Sequence, residues 1–161
     1  MRRHDAVVRL LYEHTRDHLG LPSILEQHTD PTTTDHDYDR IDLVVQVSGA
    51  DTHVDVAIVS PLTAQHDLLK TRAKHDGHAA IQTANRKRNR YPTLGLGVLP
   101  FVIEDYGRPG KESIGFVRAL AAADTTTTQS QAATHLWQCI QAIVQGHTAQ
   151  VIRQSEQHRV T

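Results

Sequence analysis

Apolar residues recur along this chain in two rhythms, and each rhythm predicts a different kind of element. Over residues 5–19, Val7, Leu10 and Leu11 fall on one stripe that His14 and His18 continue, which predicts an amphipathic helix ended by Gly20 and Pro22. A short strand is expected over 23–28, which brings Glu26 near a sheet. Residues 29–39 are polar, rich in Thr and Asp, and carry Pro31, so they read as a mobile surface loop.

From Arg40 to Val59 the rhythm becomes strict alternation, the pattern of strands with one buried face. Leu43, Val45 and Val47 share one face of the first run, and Asp42, Val44 and Gln46 share the other. In the second run Val54, Val56 and Ile58 are the apolar face, while Asp55, Ala57 and Val59 point the opposite way. With Gly49-Ala50 as the turn, Val44 is expected opposite Asp55 and Asp42 opposite Ala57. The two carboxylates then become diagonal neighbours on one face.

A helical region is expected from 63 to 90, interrupted near Gly77 and stopped by Pro92. In its second half Ala80, Ala84, Lys87 and Tyr91 lie on one stripe, so Lys87 leaves an apolar face. The run 94–103 predicts an inner strand, with Pro100 ending or bending it. A helix over 111–123 follows, then a linker over 124–130. A last helix should bury Leu136, Ile140, Ile143, Val144 and Val151. The order of elements predicts an α+β (mixed α/β) fold, a central sheet flanked by helices, with residues 1–161 as one domain.

Composition narrows the picture. With 39% hydrophobic residues in 161, the chain can bury one core of modest size, built on aliphatic side chains because aromatics are only 4%. Trp137, Phe101 and Phe116 are expected as local anchors. One cysteine, Cys139, excludes an intrachain disulfide framework and fits a reducing compartment. The opening Met-Arg-Arg-His-Asp turns to charge too early for a secretory signal, and no apolar run approaches the roughly 20 residues of a membrane span. A soluble protein is therefore expected. A net charge of −1 removes bulk attraction to nucleic acid, so any DNA contact needs a local patch, and Arg86 to Arg90 is the strongest one.

The chemistry centres on the hairpin. Two carboxylates held close between β-branched residues raise each other's pKa unless a cation lies between them. Oxygen ligands with water completing the shell favour magnesium or manganese. The plain alternative is two solvent-facing aspartates on the open side of a hairpin. The basic run around Lys87 likewise has a plain reading, cations capping a helix C-terminus, which accounts for two of its four charges. Twelve histidines open a third route: His14 and His18, four apart on a helix, have the spacing of a shared zinc ion, although they also continue a packed stripe. His75 with His78, and His36, read as solvated surface.

Several segments together carry a resemblance over most of the chain: Arg3-His-Asp, Arg40-Ile-Asp, Val54-Asp-Val-Ala-Ile-Val-Ser-Pro61, Lys87-Arg-Asn-Arg-Tyr91, Ile103-Glu-Asp-Tyr-Gly107 and the closing helix from Leu136-Trp-Gln to Arg153. They resemble the restriction-enzyme-like endonuclease domain, of the PD-(D/E)XK superfamily, found with the reverse transcriptases of non-LTR retrotransposons. The resemblance implies a magnesium- or manganese-dependent endonuclease that nicks DNA, with Asp42 and Asp55 as metal ligands. Ala57 occupies the place of the usual lysine after the second acid. The resemblance instead gives the catalytic ammonium to Lys87 on the neighbouring helix, in a Lys-x-x-Lys-Tyr pattern where Arg90 replaces the second lysine; Ile41 stands where a proline is usual.

Arg90 is then a phosphate clamp, since guanidinium grips phosphate bidentately. Arg86, Arg88, Arg90 and Tyr91 form the DNA-binding set, and Glu26 and Glu104 are further possible site residues. The implied partners are DNA and the reverse transcriptase of the same element, with no membrane. The implied location is intracellular, nuclear in a eukaryotic host. Two other functions stay open: a catalytically inactive nuclease-like module that binds nucleic acid, and a histidine-rich zinc protein.

Overall fold

The computed structural model describes residues 3–28, 40–91 and 97–157, with side chains described except at 27, 28 and 151–157. The expected loop over 29–39, His36, Pro92, Leu94 and the side chain of Val151 lie outside the described residues. The fold is α+β. A four-stranded sheet, β1 (Ser23–His28), β2 (Arg40–Val47), β3 (Ala50–Val59) and β4 (Leu99–Glu104), carries helices on both faces. Strands β1, β2 and β3 are antiparallel neighbours; β4 runs parallel to β3 and is reached through α2 (His66–Lys74) and α3 (His78–Arg90).

One face is covered by α1 (Arg3–Glu13), α4 (Lys111–Ala123) and α5 (Gln129–Gln157). Val7 and Leu11, Leu43 and Val45, Val54 and Val56, Phe101 and Ile103, Leu120, Ile140 and Val144 meet there in one core. Full burial of each such side chain contributes roughly 1.5–3 kcal/mol. Phe101 meets Phe116 edge-on at 5.9 Å and stacks on Trp137 at 6.2 Å, so the three aromatics expected as local anchors form a single cluster.

The opposite face is thinner. Ala80 and Ala84 of α3 lie on Val102, Ala57 and Val59, while Tyr91 packs with Ile41, Val44 and Val98. Small alanines let α3 approach the sheet closely, which brings the Lys87 stem down to it. The alternating pattern of the hairpin assigned the faces correctly, except that Ile41, with the parity of Leu43, packs beside Val44.

Three boundaries differ from expectation. The hairpin turn is Ser48-Gly49, with φ of 52° and 81°, so Val47 pairs with Ala50 and the register slips by two from the expected one: Val44 faces His53. Two positive φ values define the tight turn whose twist matches the strands, and Gly49 adopts one at no steric cost. The first helix ends at Glu13 and continues as a π-helical turn, His14–His18. Strand β4 begins at Leu99 and, where an inner strand was expected, stands at the sheet's edge among the described residues, which is why Pro100 lies inside it rather than ending it. Among the described residues no helix is long and apolar enough to cross a membrane.

Candidate active site

The site arises where β2 and β3 part company. Their ladder runs from Val47–Ala50 to Leu43–Val54. Beyond that point β2 stays with β1 through Ile41 and Arg40, and β3 stays with β4 through Val59. The fork frees backbone groups that a continuous sheet would pair, and buried amides require partners. The Asp42 carboxylate supplies one: the Val56 N–H donates to Asp42 Oδ2 at 2.7 Å.

An open cleft of about 920 Å³ occupies the fork. It gathers Asp42 from β2, Asp55 from β3, and Lys87, Arg90 and Tyr91 from the end of α3. The Lys87 ammonium is ion-paired and hydrogen-bonded to Asp55 Oδ1, and both side chains are largely buried, 14% and 5% exposed. The other oxygen, Asp55 Oδ2, is buried and meets no hydrogen-bond partner among the described residues. Tyr91 donates from its hydroxyl to the Arg40 carbonyl at 3.1 Å, and the Arg90 guanidinium lies 5.5 Å from the centre of the Tyr91 ring, anchoring the helix end at the fork.

Further residues complete the walls: Arg3, His4 and Asp5 of α1, Arg40 of β2 and His147 of α5. His4 Nε2 lies 3.1 Å from Asp42 Oδ2 and its Nδ1 lies 3.2 Å from Asp5 Oδ1. Two carboxylate acceptors on one ring call for the doubly protonated imidazolium. Arg3 ties α1 to α5 by donating to Thr148 Oγ1 at 3.1 Å.

The electrostatics set the two acids apart. Burial pushes the Asp42 carboxyl up, but the His4 hydrogen bond and charge, with the Val56 amide, outweigh it and hold it below the ordinary carboxylate range. At Asp55 burial dominates: the carboxyl is raised despite Lys87, and Asp42 pushes it further up. His4 is raised, first by its hydrogen bond to Asp42. Burial and then the Asp55 charge raise Tyr91, so its phenol stays a donor.

The residues present fit a hard divalent cation. Two acids from adjacent strands converge at the fork, and one of their oxygens is buried without a donor. Among the described residues no three His, Cys, Asp or Glu side chains already form a metal cage. Two carboxylates suit magnesium, which keeps several waters and is bound by one or two acids together with phosphate oxygens.

The other expected site residues lie elsewhere. Arg88 bonds Asn85 at 2.8 Å and pairs with Glu112, and Arg86 lines a separate groove with Arg72, Gln82 and Thr83. Helical geometry explains this: with α3 docked through Ala80, Ala84 and Tyr91, positions 86 and 88 point away from the fork. Glu26 is exposed and pairs with Arg40 at 3.4 Å, while Glu104 is buried at the far end of β4 beside Arg108 and His78. Neither lines the cleft.

Sequence reasoning assigned no site role to His4, Arg3, Arg40 or His147. Arg3-His-Asp belongs to the resemblance and Arg40 stands two before Asp42, so both offered a signal; His147 offered none. No protein-family model matches the chain, and no curated protein matches it.

Proposed function

We propose that this chain is a magnesium-dependent DNA endonuclease domain of the restriction-enzyme-like kind carried by non-LTR retroelements. The observation that carries the reading is the convergence of Asp42, Asp55 and Lys87, from two strands and a helix, on one open cleft walled by cations. The motif resemblance, which rests in part on the same three residues, agrees with it.

In this reading Asp42 and Asp55 hold a magnesium or manganese ion, which supplies a nucleophile at neutral pH and neutralises charge on the phosphate. His4 and the Val56 amide hold the Asp42 carboxylate through Oδ2, in the cleft it lines. Lys87, which holds Asp55 in the structure, would share that carboxylate with a bound ion and turn its ammonium to the non-bridging phosphate oxygens, where negative charge grows as water adds to phosphorus and the ester P–O bond breaks. Arg90, Arg40 and Arg3 neutralise the flanking phosphates. None of these contacts reads a base, so target choice arises elsewhere in the element.

Nicking of supercoiled plasmid with magnesium tests the reading. Asp55→Asn and Lys87→Ala each lower the rate at least about a hundredfold, with circular dichroism unchanged. Wild-type activity in either folded variant defeats the assignment.

A second reading draws on a specific observation: Lys87 already neutralises Asp55, and His4 already neutralises Asp42. Such a self-satisfied cluster equally serves a catalytically inactive module that binds nucleic acid through the cleft cations. DNA binding that ignores magnesium and survives Asp42→Asn favours that module.

A further inference from the structure

A second cavity, about 420 Å³, shares no residue with the Asp42–Asp55 cleft. His14 and His18 enter it from the π-helical turn, and His135 and Cys139 from α5. Each pair is four residues apart, the separation that stacks side chains on one helix face. The His14 and His18 rings are 5.0 Å apart between centres. π-Helical turns are rare and recur at functional sites.

The second pair has a more telling dimension. Cys139 Sγ lies 3.8 Å from His135 Nε2. Zinc bonds of about 2.3 Å to sulfur and 2.0–2.1 Å to nitrogen, spread tetrahedrally, place those two ligand atoms about 3.6 Å apart. The observed spacing needs almost no adjustment. His18 Nε2 is bonded to Asp124 Oδ2 at 2.9 Å, which leaves Nδ1 as the nitrogen with a lone pair and gives the ring the carboxylate partner that metal-binding imidazoles use. The two pairs line the same cavity, together with Leu10, Glu13, Asp17 and Leu136.

We propose that His14, His18, His135 and Cys139 form a site for a transition-metal ion of the zinc class, tying the π-helical turn after α1 to α5. Among the described residues no three of these groups already form a metal-holding set, so holding an ion here would require the His14 and His18 rings to turn toward the His135–Cys139 pair. Nitrogen and thiolate donors select zinc over magnesium, whereas the oxygen donors of the fork do the reverse. The two sites therefore differ in metal as well as in place.

Cobalt titration of tag-free, reduced protein tests this. One cobalt per chain should give the strong visible bands of a tetrahedral ion and a near-ultraviolet thiolate-to-cobalt band, both erased by zinc. Cys139→Ser, which preserves shape, removes the thiolate band. His135→Ala abolishes the tetrahedral spectrum, and Asp124→Asn weakens cobalt affinity about ten- to hundredfold. Asp42→Asn changes none of these, so the result is independent of the nuclease reading. No visible tetrahedral spectrum at saturating cobalt, or a spectrum indifferent to Cys139→Ser and His135→Ala, overturns the proposal.

Discussion

The two ends of the β2–β3 pair contrast sharply. At the turn end the strands are zipped from Val47–Ala50 to Leu43–Val54, and the partnered residues Leu43, Val45 and Val54 are fully buried. At the other end the same two strands diverge, and polar groups occupy the gap: Asp42, Asp55 and, reaching in, Lys87 and His4. A closed ladder satisfies its own amides and leaves no room for chemistry. An opened one exposes donors that side chains must meet, as the Asp42 carboxylate meets the Val56 N–H.

The contrast predicts that the ends fail differently. Leu43→Ala, in the zipped region, costs about 2–5 kcal/mol of stability and lowers the thermal midpoint, while the Asp42–Asp55 cleft of the folded fraction keeps its metal affinity. If Leu43→Ala and Asp42→Asn altered manganese affinity alike, the division would collapse. Asp42→Ala leaves the Val56 N–H without its acceptor and costs about 1–3 kcal/mol in urea unfolding, together with the loss of manganese binding by calorimetry. At the turn, Ser48 holds φ of 52° beside Gly49; Ser48→Asn gives the Asn-Gly pair that this turn prefers and should raise stability by about 0.5 kcal/mol without touching the fork.

The smallest effect lies outside both ends and serves as a control. Asp124, between α4 and α5, is held below its ordinary pKa, first by the Thr126 hydroxyl and then by His18. A depressed carboxylate stabilises the fold above its unfolded value, about pH 4, and that contribution fades as pH falls through the folded value. Asp124→Asn should therefore flatten stability below about pH 4 and leave manganese binding at neutral pH unchanged. An unaltered acid-unfolding profile contradicts this.

How much of this was legible beforehand follows from what each feature depends on. Strand faces and the Lys87 stripe obey local periods of two and 3.6, so the face each of Asp42, Asp55 and Lys87 takes could be anticipated residue by residue, while their meeting at one site was implied by the resemblance. The register could not, because it hung on Ser48 accepting a left-handed conformation that sequence statistics discourage. The fork itself is a tertiary feature: the β2–β3 ladder ends at Leu43–Val54 while β2 stays paired with β1 and β3 with β4, and nothing within residues 40–59 announces it. His147 and the Cys139–His135 pair come from α5, so their proximity to α1 residues rests on helix packing across the core. Arg86 and Arg88 illustrate the converse, since a basic run read as one patch is dispersed around a helix.

The central claim is that the fork binds a divalent cation between its two acids. A manganese-soaked crystal examined at the manganese absorption edge tests it directly: the account predicts an anomalous peak in contact with Asp42 and Asp55, with Lys87 displaced from Asp55. A soaked crystal with no peak there, and the Lys87–Asp55 ion pair intact, contradicts it.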